Sequence, residues 1–527
     1  MKAGVYACLL LLAASLLASC DEFLDTMPDN RTEVDEPNKV TDLLVSAYPV
    51  HDYIFFNELM SDNMDCYPRY SSHTSLADSC WMWSEVSEEA TFSPANLWSD
   101  CFGGITTANM ALEAIENLGG PTTTELREAK AEALMLRAYH HFILVNTFCA
   151  PYDKAKNAQN LGIPYQYEVE RELNPQYDRG TLDKTYELIQ KDIEEALPNI
   201  GETNIEDAPK YHFNINAAYA FATRFYLFTE QWQKAIDAAT LCLGDNPATM
   251  LRDWKYMSTL PQNKDAVTNQ YINADENANL LLLTSYSDAG LIFGAYRLNS
   301  RFSHGGYLAE TEDMSASQLW GNYSAFYMTP QVYSATNMDK TIFWKLPYIF
   351  EYTDPVAKIG YRHTVYPAFT SDETLLSRAE AHIMLKQYDK ACEDMTMWMH
   401  AITKSQIVLT PEIVNEFYNN AKYSYSDKDG IESQLKKHLN PSFAIDAEGS
   451  TQENMLQAVL TFRRIETMHL GLRWFDIKRY GIEIPRRVMN AEGKPERQLD
   501  FLKKDDPRRA LQLPIKVIMA GLEGNPR

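Results

Sequence analysis

The stretch "INAAYAFATRFYLFTEQWQKAIDAATLCL", residues 215–243, decides the fold. Its apolar residues recur at helical spacing on both sides of a polar break at Thr229-Glu230-Gln231. It therefore reads as two helices joined by a tight turn. A second stretch, "DETLLSRAEAHIMLKQYDKACEDMTMWM" (372–399), repeats the design. Both carry Gln-aromatic-x-Lys-Ala at the corner: Gln231, Trp232, Lys234 and Ala235 in the first, Gln387, Tyr388, Lys390 and Ala391 in the second. The aromatic ring plugs the corner, and the Ala lets the second helix approach closely.

Such a corner is the physics of a tetratricopeptide-type helix pair. The copies lie 156 residues apart, too far for a regular solenoid. Working outward, helices are expected over 40–59, 96–118, 123–148 and 181–200, then near 411–422 and 452–480. Thr123 and Thr181 stand where N-caps belong, and Gly119-Gly120-Pro121 is a helix breaker. Residues 244–370 are of another kind, rich in Asn, Ser, Gly, Tyr and Trp with weak periodicity. Strands are expected there at 279–287 and 341–352. The aromatic content argues against disorder, so this segment reads as an irregular lobe. The expected fold class is mainly α, a helical scaffold of tetratricopeptide-type pairs plus a loop-rich lobe with a few short strands. The scaffold spans 40–243 and 371–527. The tail stretch "LQLPIKVI" should dock back onto it.

The chain opens with one cation, Lys2, and an apolar run from Val5 to Leu17, the pattern of a secretory leader. A membrane span needs about 20 apolar residues, which this run lacks. Leu17-Ala18-Ser19-Cys20 resembles a bacterial lipobox, with cleavage before Cys20 and lipid on its sulfur. Residues 1–19 are then the leader and 20–39 a lipidated tether. Asp21 and Glu22 follow the lipid site, where acids resemble a surface-export signal.

The formal charge of −24 repels nucleic acid and anionic lipid. Cys66, Cys80, Cys101, Cys149, Cys242 and Cys392 form no CxxC pair and no zinc spacing. Cys66 and Cys80 flank one polar, aromatic loop and could form a disulfide. No cofactor or metal is expected. "YSDKDGIES" (425–433) hints at calcium, but an EF-hand register from Tyr425 lacks the first acid and ends at Lys436. "SDNMD" (61–65) could supply oxygens. No HExxH, GxSxG, P-loop or Rossmann fingerprint occurs. A carboxylate pair for glycoside hydrolysis needs only two acids at the right distance and leaves no motif.

The lipobox followed by "DEFLDTMPDN", then "AEALMLRAYHHFILVNTF", "LSRAEAHIML", "FRRIETMHLGLRWFDIKRYG" (462–481) and "LPIKVIMAGLEGNPR" occur in an order that resembles the SusD/RagB family of surface nutrient-binding lipoproteins. The departures are Phe462 and Leu470, where the family usually has acids, and Lys516, where it usually has Pro. The resemblance implies a SusD-like scaffold of four tetratricopeptide-type helix pairs with a less regular lobe, anchored outside the outer membrane of Bacteroidota-type bacteria. It implies a lid on a SusC-like TonB-dependent transporter that captures oligosaccharide or peptide and is not an enzyme. A lid without ligand affinity, and a helical glycoside hydrolase, are the competing readings.

The signature residues Arg463, Arg464, Glu466, Arg473, Trp474 and Asp476 look catalytic but are better explained as scaffold. Arg463 and Glu466, like Arg473 and Asp476, have the i, i+3 spacing of pairs on one helix face. Ligand contacts are better sought among loop aromatics, since a flat ring matches the apolar face of a sugar. "DCYPRYSSHTSLADSCWMW" (65–83) offers Tyr67, Arg69, Tyr70, Trp81 and Trp83. The stretch 295–327 offers Tyr296, Arg301, Tyr307, Trp320 and Tyr323. In the resembling family, loops in these regions form the ligand face. Trp98 is expected to pack.

Overall fold

The computed structural model describes residues 34–527, apart from 88, 89, 91, 173, 174, 206, 337 and 425–430. The leader, Cys20, most of the tether and most of the 425–433 loop lie outside the described residues.

The two corners form with the same geometry. Helix Ile215–Phe228 turns into Trp232–Leu243, and Ser371–Met384 turns into Tyr388–Ile402. The Gln231 N–H donates to the Tyr226 carbonyl at 2.8 Å, and the Gln387 N–H to that of His382 at 2.8 Å. Glu230 (φ 59°) and Lys386 (φ 57°) take the left-handed conformation that reverses the chain. The Trp232 ring packs edge-on against Phe443, while Ala235 and Ala391 are buried. The pairs also touch each other, because Trp232–Leu243 packs against Ser371–Met384.

Consecutive helices pair elsewhere too. Pro94–Asn117 packs on Thr124–Phe148, which packs on Leu182–Ala196, and Pro411–Asn420 packs on Thr451–Glu466. Thr123 caps its helix as expected, its hydroxyl accepting from Leu126 N–H. Every residue from Ala131 to Phe148 is buried, so that helix is enclosed on all faces. Its polar side chains need partners there. Arg137 makes a bidentate pair with Asp192, both contacts 2.7 Å, and the His140 ring nitrogen meets the Ala47 carbonyl at 2.7 Å.

Three expected elements break. The 40–59 stretch gives Pro37–Val45 and Ile54–Met60, because Pro49 lacks the N–H a continuing helix needs and disfavours helical backbone at Tyr48. The 452–480 stretch divides into Thr451–Glu466 and Leu472–Tyr480 at Gly471 (φ 75°). A Cβ at Gly471 would meet Ile54 Cα at 2.9 Å, so only glycine lets the turn sit against that helix. The 341–352 stretch supplies the end of strand Met338–Ile342 and the start of Ile349–Asp354. Strand Asn279–Tyr286 forms as expected and pairs antiparallel with Ile359–Thr370, whose other edge holds Ile349–Asp354.

A second sheet runs Phe302–Ser303, Asp65–Cys66, Ile484–Met489, Pro495–Leu502 in spatial order. It draws strands from both parts of the scaffold and from the lobe. One hydrophobic core accordingly extends from Val40 to Leu513. The tail docks through the Leu511 N–H on the Thr147 carbonyl, at 3.1 Å.

Buried cations close several helix C-termini. Arg486 donates to the carbonyls of Leu59, Met60 and Ser61. Lys345 donates to Ile465 and Glu466, and Lys478 to Asn146 and Cys149. Lys340 reaches Ile292, Gly294 and Arg297, and Arg509 reaches Ile477 and Ile482. The last turn of a helix presents unpaired carbonyls and a partial negative charge, which a cation from another element neutralises.

Candidate functional site

The two loops singled out by their aromatics come together in this second sheet. Asp65 opposes Ser303 and Cys66 opposes Phe302, antiparallel. Beyond the strands, the Tyr67 N–H donates to the Arg301 carbonyl at 2.7 Å and Ser72 bridges Ser300. Tyr67 and Tyr70 stack with centroids 5.8 Å apart and planes 18° from parallel. With Met489 they form a small cluster separate from the main core, and Tyr307 packs against it. Gly305 makes room for this, since a Cβ there would collide with the Tyr67 hydroxyl.

Cations lie on these rings. The Arg69 guanidinium is 4.9 Å from the Tyr70 centroid, and its Nη1 donates to the Ala491 carbonyl. Lys494 Nζ lies 5.6 Å from the Tyr307 centroid. Arg301 reaches the Tyr70 carbonyl at 3.4 Å and Asp78 at 3.9 Å. The Tyr307 hydroxyl accepts from the Ser433 N–H at 3.0 Å. Beneath, Asp339 accepts the Gly306 N–H at 2.7 Å, and burial pushes its carboxyl up.

Of the ten candidates, five are enclosed. Tyr67, Tyr70, Trp81, Trp83 and Trp320 are each less than 5% exposed. This corrects the expectation that they stack on a ligand in a loop. Trp81 donates to the Met64 carbonyl at 3.0 Å and Trp83 to Met60 at 2.9 Å, so their polar edges are spent inside. Trp320 packs against Trp398 and Phe462. Arg69 and Tyr323 are exposed, and Tyr296, Arg301 and Tyr307 are half-buried. Tyr296 faces Tyr348 with Lys264 4.4 Å above its ring, apart from the Tyr67–Tyr70 cluster.

Sequence reading missed the exposed aromatics of two hairpins. Tyr333 lies on strand Gln331–Ala335, and Tyr352 and Tyr361 on the pair Ile349–Asp354 and Ile359–Thr370. Alternation in "YIFEY" and "YRHTVY" is the signal that could have found the latter two. Lys494 was also missed, in the turn between strands Ile484–Met489 and Pro495–Leu502.

The signature residues build the floor, by pairings other than those expected. Arg463 pairs with Asp476 at 3.1 Å across two helices, not with Glu466, whose carboxylate instead accepts from Trp398. Arg473 holds Asp62 in two contacts, 2.8 and 2.9 Å, not Asp476. Helical spacing permits an i, i+3 pair, but buried acids from other elements reach these guanidinium groups first. Trp474 is fully buried. Arg464 joins Glu312 and Asp62. Burial alone would raise the Glu312 carboxyl; Lys437, Arg464 and Arg487 outweigh it and bring it down to about 2.

All six described cysteines are free, so Cys66 and Cys80 form no disulfide. Among the described residues no helix is long and apolar enough to cross a membrane, and no three His, Cys, Asp or Glu are grouped to hold a metal ion. A cavity of about 670 Å³ lies elsewhere, between the 150–161 loop, Pro441, Lys504 and Pro526.

A helical scaffold of paired helices carrying a loop-built lobe is the architecture of the SusD type. Residues 22–227 match the SusD-like family described as starch-binding associating with outer membrane, and residues 248–509 match the SusD family. The chain belongs to the SusD/RagB family. It is similar in fold to a SusD superfamily protein from Bacteroides thetaiotaomicron VPI-5482, with 18% identity, TM-score 0.63 and coverage of 94% of this chain and 100% of that one. It is similar to a SusD-like carbohydrate binding protein from Bacteroides vulgatus ATCC 8482, with 14% identity, TM-score 0.61 and coverage of 93% and 97%. A laminarin binding SusD-like protein matches with 16% identity, TM-score 0.52 and coverage of 94% and 99%. No curated protein sequence matches the chain.

Proposed function

We propose that this protein is a lipid-anchored capture subunit on the outer face of the outer membrane. It binds oligosaccharide and delivers it to a SusC-like TonB-dependent transporter, without catalysis of its own. The observation that carries this reading is the convergence of the 65–72 and 300–307 loops on one sheet, with Arg69 and Tyr307 at its surface. Rigid scaffolds commonly carry binding residues on such loops. Similarity to structures described as carbohydrate binding and laminarin binding supports a glycan over a peptide. Arg69, Tyr296, Arg301, Tyr307 and Tyr323 are the proposed contacts. Tyr67, Tyr70, Trp81, Trp83 and Trp320 hold the loops from within.

Affinity electrophoresis in polysaccharide gels tests the reading. At least one glycan should retard the protein, and Tyr307→Ala should reduce the retardation in gels run well below its melting temperature, which the lost packing on Tyr67 and Tyr70 lowers modestly. Migration unaltered by every glycan, with capture of peptides from a defined pool, would replace glycan by peptide cargo. Release of reducing sugar would make the protein an enzyme.

A further inference from the structure

We infer that the Arg69–Lys494 face reads an acidic sugar, through a carboxylate or sulfate ester on the bound oligosaccharide. The inference rests on the glycan-binding reading above and names the class of glycan.

The chain holds 72 acidic residues against 48 Lys and Arg, so an exposed cation has acids in excess around it. Arg69 and Lys494 depart from that pattern. Both are exposed, and neither forms an ion pair among the described residues. Glu492 and Glu496 flank Lys494 in sequence, yet no ion pair joins either to it. Each cation lies instead over a tyrosine ring, Arg69 on Tyr70 and Lys494 on Tyr307. A ring quadrupole positions a cation while leaving its charge unneutralised.

The two cations are anchored to one turn and one cluster. Arg69 donates to Ala491, and the Asn490 N–H closes the same turn onto the Lys494 carbonyl at 2.8 Å. Tyr70 and Tyr307 belong to the one tyrosine cluster. Arg301 adds a third cation, bonded to the Tyr70 carbonyl. Two acids border the group: Asp78 stands 3.9 Å from Arg301 and is held by His73 at 2.7 Å, while Asp339, buried beneath the cluster, feels the Arg69 charge without forming an ion pair with it. Behind them, Arg487 is matched by Asp65 and Glu312 in direct ion pairs, which the exposed Arg69 and Lys494 lack. A guanidinium fork matches a carboxylate or sulfate in geometry as well as charge, while a lysine supplies a point charge beside it. A neutral glycan uses neither.

The test compares probes on the full chain by titration calorimetry: oligogalacturonate for uronate, chondroitin sulfate oligosaccharide for sulfate, maltoheptaose and laminarin as neutral sugars, and oligo-glutamate as an acidic peptide. One acidic oligosaccharide should bind, more weakly as salt is raised, and R69Q should lower its affinity about tenfold. K494Q should act in the same direction, with melting temperatures unchanged in both variants. Binding of a neutral glycan but of neither acidic one overturns this inference and leaves the glycan-binding reading standing. So does acidic-glycan binding that the double variant leaves within about twofold. Equal binding of oligo-glutamate overturns the sugar assignment. Binding of no glycan at all overturns both readings.

Discussion

Arg464 and Glu312 stand 152 residues apart in sequence and form a buried ion pair. Arg464 also donates to the Asn63 side chain at 2.9 Å and to the Asp62 carbonyl at 3.0 Å. Removing one member of such a set leaves charges buried without compensation, which costs far more than the intact set contributes. Arg464→Met should therefore lower stability by about 3–5 kcal/mol in urea denaturation, and a loss under 1 kcal/mol would show the network to be dispensable. Glu58 gives a pH signature. Its Oε1 accepts the Gly471 N–H at 2.9 Å and its Oε2 the Asn63 amide at 3.0 Å. Burial pushes its carboxyl up from 4.5 to about 7. The folded state thus holds a proton that the unfolded state releases at lower pH. The contribution of this group is fully present below pH 4.5 and is lost as pH rises through about 7. Glu58→Gln carries no such proton, so between pH 5 and pH 8 it should lose about 2–3 kcal/mol less than the parent. Parallel stability curves for the two proteins would contradict the assignment.

The buried cations act at the scale of the helix. Lys345, between two strands of the lobe, brings its ammonium to the last carbonyls of Thr451–Glu466. Lys345→Met keeps the apolar stem but leaves those carbonyls unpaired, at a cost of about 2–4 kcal/mol. Amide exchange in the turn after that helix should speed up in the variant, and unchanged exchange and stability would refute the capping role. Elements of this kind divide into those the sequence discloses and those it hides. Helices were legible wherever period and cap agreed, as at Thr123, and the paired corners were legible from Gln231 and Gln387. The break at Pro49 was legible in principle, since the proline stands in plain view. Glu380, which also faces Arg463, and Asp62, the partner of Arg473, were not, because they stand on elements distant in sequence. Choosing the two aromatic loops picked out segments that the structure pairs at Asp65 and Ser303, though nothing in the sequence announced the sheet. It was not enough to tell which rings face out, because a packed lobe and a binding face use the same residue types. Trp81 and Tyr307 differ in neighbours, not in local sequence.

At the scale of the whole molecule, the sequence divisions at 243 and 370 do not mark separable bodies. The four-stranded sheet takes Asp65–Cys66 from the first segment, Phe302–Ser303 from the second and the remaining strands from the third. Arg473 on Asp62 ties residues 411 positions apart. The C-terminus closes the arrangement, with the Asn525 amide on the Phe148 carbonyl at 2.7 Å and Arg179 on the Glu523 carbonyl at 3.0 Å. The anchor is a separate matter. Cys20→Ala should yield a protein that folds and binds as before but leaves the membrane fraction, and retention there would refute the lipid anchor. Interlocking predicts how the folded body fails. Each part lends the others strands, ion-pair partners and core contacts, so none retains enough burial to stand once another has opened. Trp98 and Trp232 report the first segment, Trp320 and Trp344 the lobe, Trp398 and Trp474 the last, while far-ultraviolet dichroism reports the helices. Tryptophan fluorescence and dichroism should therefore trace one coincident urea transition, as a single cooperative unit requires. Deleting residues 511–527 should move both curves together to lower urea. A lobe that unfolds first, seen as a fluorescence change ahead of the loss of helix, would show the segments to be independent domains.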